Sequence, residues 1–92
     1  MEFEWNPKKA RANLKKHGVA FEEATQAFFD PNAIEFLDDI NSDEEIRFRL
    51  LALSTKRLLF VGYTTRGNEV IRIITARKDT AVEKRYYNES RR

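Results

Sequence analysis

Two short segments of this chain carry the side chains best suited to proton transfer and to charge stabilisation. Near the start, the only histidine, His17, follows Lys16 at the predicted end of a helix. Near the end, Arg72 and Arg77 lie in a segment, residues 72–78, that otherwise has the composition of a buried strand. An imidazole exchanges protons near neutral pH, and a guanidinium keeps its charge throughout. Together these residue types suit cleavage of a phosphodiester.

Two of these residues also have a structural interpretation. A lone histidine near a helix C-terminus often only caps carbonyl groups, and that alternative stays open for His17. A guanidinium buried without a partner is very costly. Arg72 must therefore meet a carboxylate, such as Glu45, or line an open groove.

Other candidates lie along the last two predicted strands. Arg77 is at a strand end beside Lys78, where a ligand reaches it easily, so we favour a phosphate-facing role for it. Tyr63 lies in mid-strand, which suits either a half-buried aromatic with its hydroxyl at the edge or a platform for a nucleobase. Arg66 lies in the turn that follows.

The composition excludes several classes of site. The chain has 92 residues, 41% of them hydrophobic, which suits one domain over residues 1–92. The absence of cysteine excludes a disulfide or a thiolate metal site, and a single histidine argues against a histidine zinc site. We therefore predict no metal and no cofactor. There is no apolar run of about 20 residues and no signal-peptide pattern, so we expect a cytoplasmic protein without a membrane partner.

Charge is strongly polarised along the chain although the formal net charge is only +2. Residues 1–17 carry a net +3, residues 18–46 a net −9, and residues 47–92 a net +8. Basic segments that meet in space would attract a polyanion such as nucleic acid. The alternatives are ordinary solvated surface, or a structural interaction protein whose basic ends pair with the acidic middle of a second copy.

Local signals predict three helices. Asn6-Pro7 is a strong start for the first, which ends at His17 before Gly18. The second runs from about Phe21 to Asp30-Pro31 and lacks a good cap. Capping-box spacing from Thr80 opens the third.

Alternation and turn residues predict the strands. Between residues 45 and 54, apolar side chains alternate with Glu45, Arg47 and Arg49, which share the opposite side of the strand. The predicted strands are a small one at residues 2–5 and then 33–37, 45–54, 58–65 and 69–77. Short connections require antiparallel pairing. The expected fold is α+β, with two N-terminal helices and a C-terminal helix packed on a curved, mainly antiparallel sheet of about four strands.

Spacing also predicts the core. Trp5 and six of the phenylalanines are expected inside: Phe21, Phe28, Phe29, Phe36, Phe48 and Phe60. Val82 and Tyr86 fall on one side of the last helix.

Several motifs in a fixed order resemble a known family. Each motif is weak alone, but their joint order and spacing over nearly the whole chain are specific. They comprise residues 3–9, 13–19, 21–24, 30–31, Ser42, Glu45, Arg47, 63–64, 66–67 and 72–78. The chain resembles the BrnT toxins, the ribonuclease components of bacterial type II toxin–antitoxin systems.

The resemblance implies a RelE-like fold and a metal-independent endoribonuclease that cleaves RNA by attack of the 2′-hydroxyl. It also implies neutralisation by a cognate BrnA-like antitoxin, which carries the DNA-binding domain, so that DNA is contacted only indirectly. The expected roles follow. His17 is the leading acid or base, and Arg72 and Arg77 stabilise phosphorane charge. Glu45 is the alternative base or orients an arginine. Lys16, Arg66 and Lys78 hold flanking phosphates, and Tyr63 stacks on a base.

This sequence departs from the family pattern at three positions. Asn41 stands where family members often have histidine, and Ala20 and Thr75 stand where they often have serine. Asn41 removes a second imidazole. The alternative function is therefore a non-catalytic module that binds nucleic acid or the antitoxin.

Overall fold

The computed structural model describes residues 1–40, 42 and 45–91 of the chain. The expectation at Asn41 lies outside the described residues.

Helix α1 spans Pro7–His17 and begins and ends as its sequence predicts. The Asn6 side chain accepts hydrogen bonds from the N–H groups of Lys8 (2.9 Å) and Lys9 (3.2 Å). Gly18 ends the helix with φ of 70°, in the left-handed region that glycine adopts at low cost. These local signals fix both ends of the element that carries His17.

Helices α2 and α3 differ in how well they are capped. Helix α2 spans Phe21–Ala27, and Ala20 gives it no side-chain cap. It ends before the predicted Asp30-Pro31 stop. Helix α3 spans Ala81–Ser90 and has the full capping box expected at Thr80.

Five strands form one sheet in the order β1-β5-β4-β3-β2. Their bounds are β1 Glu2–Glu4, β2 Ile34–Leu37, β3 Arg47–Leu53, β4 Leu58–Arg66 and β5 Val70–Lys78. Neighbours pair antiparallel except β1, which runs parallel to β5. The expected sheet of about four strands was therefore one strand short, because the small first strand joins the sheet through a partner almost 70 residues away, a pairing that no local signal encodes.

The two faces of the sheet carry different helices. Helices α1 and α2 cover one face, where Leu50, Val61 and Ile73 belong to the main core. Helix α3 lies on the other face, where Tyr87 packs with Leu51 and Leu58. Only part of this second face is covered by α3, so the remainder presents side chains of β3, β4 and β5 outward.

Most of the predicted core is confirmed. Phe21 is fully buried, and Trp5, Phe28 and Phe48 pack against the main core. Phe36 and Phe60 pack in the second cluster under α3. The prediction for Phe29 was wrong: it lies beyond the end of α2 and is 67% exposed.

Asn13 ties α1 to the edge of β5. Its Nδ2 donates to the carbonyl oxygens of Val19 (2.9 Å) and Ala76 (2.8 Å). Its Oδ1 accepts from the Ala76 N–H (3.1 Å) and the Thr75 hydroxyl (3.2 Å). A buried amide with all these bonds made fixes where α1 sits on the sheet.

In the described part of the chain, no helix is long and apolar enough to cross a membrane.

Candidate functional site

Arginines of three adjacent strands lie on the sheet face that α3 only partly covers. We call this surface the arginine face; it comprises Arg47, Arg49, Arg66, Arg72 and Arg77. The register explains the grouping, because Arg47 is paired with Thr64 and Thr64 with Arg72 in one row across the sheet. Side chains directly opposite each other on neighbouring strands share a face.

A recess opens in the middle of this face. Gly62 lies between Arg49 of β3 and Thr75 of β5 in the next row. A Cβ atom at Gly62 would come within 2.6 Å of the Thr75 Cγ2 atom. The recess has a volume of about 220 Å³, and Asp38, Arg47 and Arg49 contribute to its wall. The Thr75 methyl group takes the space that a side chain at Gly62 would fill, and both residues line the recess between the two arginines.

Carboxylates orient the two arginines of the recess. The Arg49 Nε donates to the Asp38 Oδ2 at 3.0 Å. The Arg47 Nε lies 3.7 Å from the Glu45 Oε1 and is buried, without a hydrogen-bond partner among the residues described. Glu45 itself is exposed. The recess therefore combines two positioned guanidinium groups with a carboxylate that solvent can reach.

Glu4 holds the two arginines at one end of the face. Its Oε2 lies 2.7 Å from the Arg72 Nη1 and 3.3 Å from the Arg66 Nε. Arg72 thus has the ion pair that its burial required, but the partner is Glu4 of β1 and not the expected Glu45.

Arg77 is held at the other end by α3. Its Nη1 and Nη2 donate to the two Glu83 carboxylate oxygens at 2.9 and 2.8 Å. Its guanidinium also lies over the Phe60 ring, with the Cζ atom 4.7 Å from the centroid. The hydrogen bonds from Arg77 hold the pKa of Glu83 below its ordinary value. Arg49 approaches the same Phe60 ring at 5.4 Å, so one aromatic side chain positions both cations.

Other predicted site residues lie elsewhere. Lys16 and His17 end helix α1, which packs against the opposite face of the sheet. Lys78 pairs with Leu59, a core residue of that opposite face. The structure therefore groups Arg66, Arg72, Arg77 and Glu45 on the arginine face and does not group His17 with them.

Tyr63 is a core residue. It is only 4% exposed, and its ring stacks on Phe48 with centroids 5.5 Å apart. Its hydroxyl donates to the Glu35 carboxylate. Burial, followed by that hydrogen bond, raises the pKa of Tyr63 well above its ordinary value. A ring packed in this way offers no face for a nucleobase to stack on.

The sequence predicted no role for Arg47 and Arg49, although both stand in a recognisable pattern. Both alternate with apolar residues in β3, which places them on one side of a strand between two others. Alternation of this kind shows which side of an antiparallel strand carries the charged side chains, but it does not show that they line a recess.

The described residues contain no group of three or more His, Asp or Glu side chains arranged to hold a metal ion. The arginine face is suited to an anion with several oxygens, because a guanidinium presents two parallel N–H donors to such a group.

Fold and site together define a small α+β protein with an arginine-lined recess on one sheet face. Residues 5–83 match the family described as the ribonuclease toxin, BrnT, of type II toxin–antitoxin systems. The chain belongs to this family.

A solved structure supports the fold. The chain is similar to the crystal structure of the ribonuclease toxin BrnT of Brucella abortus, with a TM-score of 0.67 and 19% sequence identity. The match covers 87% of this chain and 97% of that one. No curated protein sequence matches the chain.

Proposed function

We propose that this member of the BrnT family is a metal-independent endoribonuclease whose site is the arginine face. In this proposal RNA is cleaved by attack of its own 2′-hydroxyl, the fold is related to RelE-type toxins, and a BrnA-like antitoxin neutralises the activity. One observation carries the site assignment: Arg47 and Arg49 flank the Gly62 recess while carboxylates hold them in place.

The recess takes the scissile phosphate. Attack of the 2′-oxygen on phosphorus forms a phosphorane with additional negative charge on its oxygens. Arg47 and Arg49 stabilise that charge, and because Asp38 and Phe60 already position Arg49, little reorganisation accompanies the reaction. The P–O5′ bond then breaks, the 5′-oxygen takes a proton from solvent water and leaves as a hydroxyl, and the other product ends in a 2′,3′-cyclic phosphate.

Proton transfer from the 2′-hydroxyl is assigned to Glu45 in preference to His17. Glu45 is exposed and lies 3.7 Å from Arg47 at the recess. His17 belongs to α1, across the sheet. A carboxylate beside a phosphate-binding arginine is positioned to accept the proton that the attacking oxygen loses.

The remaining arginines hold the substrate on either side of the recess. Arg72 and Arg66 do so at the Glu4 end and Arg77 at the Glu83 end. The roles of Lys16 and Lys78 as contacts to more distant phosphates stay predictions. The antitoxin is proposed to neutralise the toxin by covering the arginine face.

The experiment measures cleavage of a defined RNA in EDTA, beside the same RNA with a single 2′-deoxy nucleotide at the cleaved position. We expect the first to be cut and the second to stay intact. Glu45→Gln should lower the rate about 10²–10⁴-fold, the range for loss of a general base, whereas His17→Gln should leave it within a few-fold of wild type.

Three results would contradict the proposal. Loss of cleavage in EDTA would show that the reaction needs a metal ion. Cleavage of the deoxy-substituted RNA would contradict attack by the 2′-hydroxyl. Retention of RNA binding with no cleavage by the wild type would favour the non-catalytic binding module.

A further inference from the structure

We infer that a band of cations along α3 and the β3–β4 turn binds the phosphate backbone of RNA flanking the cleaved bond. We call this band the α3 basic track; it consists of Lys56, Lys78, Lys84, Arg85 and Arg91. The inference rests on the proposed function, since it extends the path of the same RNA beyond the arginine face.

Two open cavities along α3 give the track its shape. The first has a volume of about 570 Å³ and is lined by Lys78, Lys84 and Arg85. The second has a volume of about 320 Å³ and is lined by Lys56, Lys84 and Arg91. Because Lys84 lines both cavities, the two lie side by side along α3.

The track has a large excess of positive charge. The two cavities include only two carboxylates, Asp79 and Glu89, against its five cations. Arg57 also lines the second cavity, but the Glu23 carboxylate binds its Nε at 3.0 Å and its Nη2 at 2.8 Å. Within the described part of the chain, none of the five track cations makes an ion pair. Glu23 lies near Lys56 and Asp30 near Arg91, but the lining as a whole keeps a net positive charge that attracts a polyanion.

The track is continuous with the proposed site. The Arg77 Nη1 of the arginine face donates to the Lys78 carbonyl oxygen at 3.1 Å. Glu83, which holds Arg77, immediately precedes Lys84 on α3. Arg77 thus contacts both elements that carry the start of the track, the end of β5 and the first turn of α3, and we assign this end of the arginine face as the point where the RNA passes to the track.

The lining recognises charge and not base identity. Tyr87 is the aromatic side chain among the lining residues, and it is 1% exposed, with the Arg91 guanidinium 5.7 Å from its centroid. Single-stranded nucleic acid is read through stacking on exposed aromatic rings, and backbone contacts alone carry no sequence information. Because of the track, the affinity for RNA should rise with RNA length and should not depend on the RNA sequence.

The test measures binding of non-cleavable RNA, which carries a 2′-deoxy nucleotide at the cleaved position. A short RNA of about 4 nucleotides and a long one of about 16 span the usual site sizes for single strands. Fluorescence anisotropy gives each affinity over a salt series for wild type, for Lys84→Gln/Arg85→Gln, and for a control with the same charge loss. The control is Lys8→Gln/Lys9→Gln, on the exposed first turn of α1.

Removal of two backbone contacts should reduce the slope of log affinity against log salt by about 1.4. Over the tenfold range from 1 M to 0.1 M salt, the track variant should therefore become about 25-fold weaker than wild type in binding the long RNA, while the control keeps the wild-type slope. The preference of wild type for the long RNA over the short one should largely disappear in the track variant.

Equal slopes of log affinity against log salt for the track variant and the control would overturn the inference. An equal loss of affinity for the short and the long RNA in the track variant would also overturn it. Unchanged RNA binding with weaker binding of a polyglutamate peptide would assign the surface to an acidic protein segment and would also overturn it. Failure of the proposed function can be told apart from failure of this inference. If RNA binds through the track but is never cleaved, the proposed function fails and the inference about the track holds.

Discussion

Gly62 is the residue on which the shape of the recess depends. The missing side chain leaves room for the Thr75 methyl group, which would lie 2.6 Å from a Cβ at Gly62. Two non-bonded carbon atoms cannot approach each other that closely, so one strand or one side chain must move when a methyl group is added at Gly62.

Gly62→Ala should lower the free energy of unfolding by about 1–3 kcal/mol, the usual cost of overpacking. Thr75→Ser removes the clashing methyl group and keeps the hydroxyl that bonds to Asn13. The double variant should therefore recover most of the loss in urea unfolding. If the double variant lost as much free energy of unfolding as the two single variants together, this explanation would be contradicted.

Residue-scale prediction from sequence succeeded where a pattern was local and failed where a contact was distant. The alternation of Arg47 and Arg49 with apolar residues was visible in the sequence. Asn13 was not identified, because its bonds to Thr75 and Ala76 join residues more than 60 positions apart. Phe29 was misplaced since its spacing suits a helix that in fact ends at Ala27.

At the scale of elements, α3 is attached by two polar anchors. Tyr87 donates to the Asp30 Oδ2 at 2.5 Å, and Glu83 accepts from Arg77. Burial and the hydrogen bond to Asp30 raise the pKa of Tyr87 to about 12. The helix that covers part of the arginine face is thus held by one charge pair that titrates in acid.

Glu83→Gln tests that charge pair through the pH dependence of stability. Hydrogen bonds from Arg77 lower the pKa of Glu83 in the folded protein from its ordinary value near 4.5. Its contribution is therefore complete above about pH 4.5 and is lost as the pH falls through the lowered pKa. The variant should be less stable than wild type by about 1 kcal/mol at pH 7, a modest value because both partners are partly exposed.

Chemical unfolding between pH 7 and pH 3 should show the two proteins converging at the acid end. The glutamine keeps an oxygen for the Thr80 N–H, so the helix cap is preserved. A double-mutant cycle with Arg77→Gln isolates the pair. A constant difference at all pH values, or zero coupling in the cycle, would contradict the assignment.

Caps and turns made the helix ends predictable, because Asn6, Gly18 and Thr80 act on groups only a few residues away. The sheet order depended on distant pairing. The parallel partner of β1 is β5, and no local signal in residues 2–5 specifies it.

At the scale of the whole molecule, much of the polarised charge is compensated inside the chain. Carboxylates of the acidic middle pair with cations of the basic half: Glu23 with Arg57, Asp38 with Arg49, and Glu45 with Arg47. Two of these carboxylates, Asp38 and Glu45, orient arginines of the arginine face. The sequence predicted the polarity, but it could not tell which cations would be paired and which would form the α3 basic track.

The proposed catalytic role of the arginine face is tested most directly by the single-turnover rate of RNA cleavage by Arg49→Ala in EDTA. Arg11→Ala is the control, since it removes an equal charge from the exposed side of α1. Loss of a preorganised group that stabilises the transition state should slow Arg49→Ala by about 10²–10³-fold, with the control near wild type. Equal rates for the two variants, with both folded by circular dichroism, would contradict the assignment of the site.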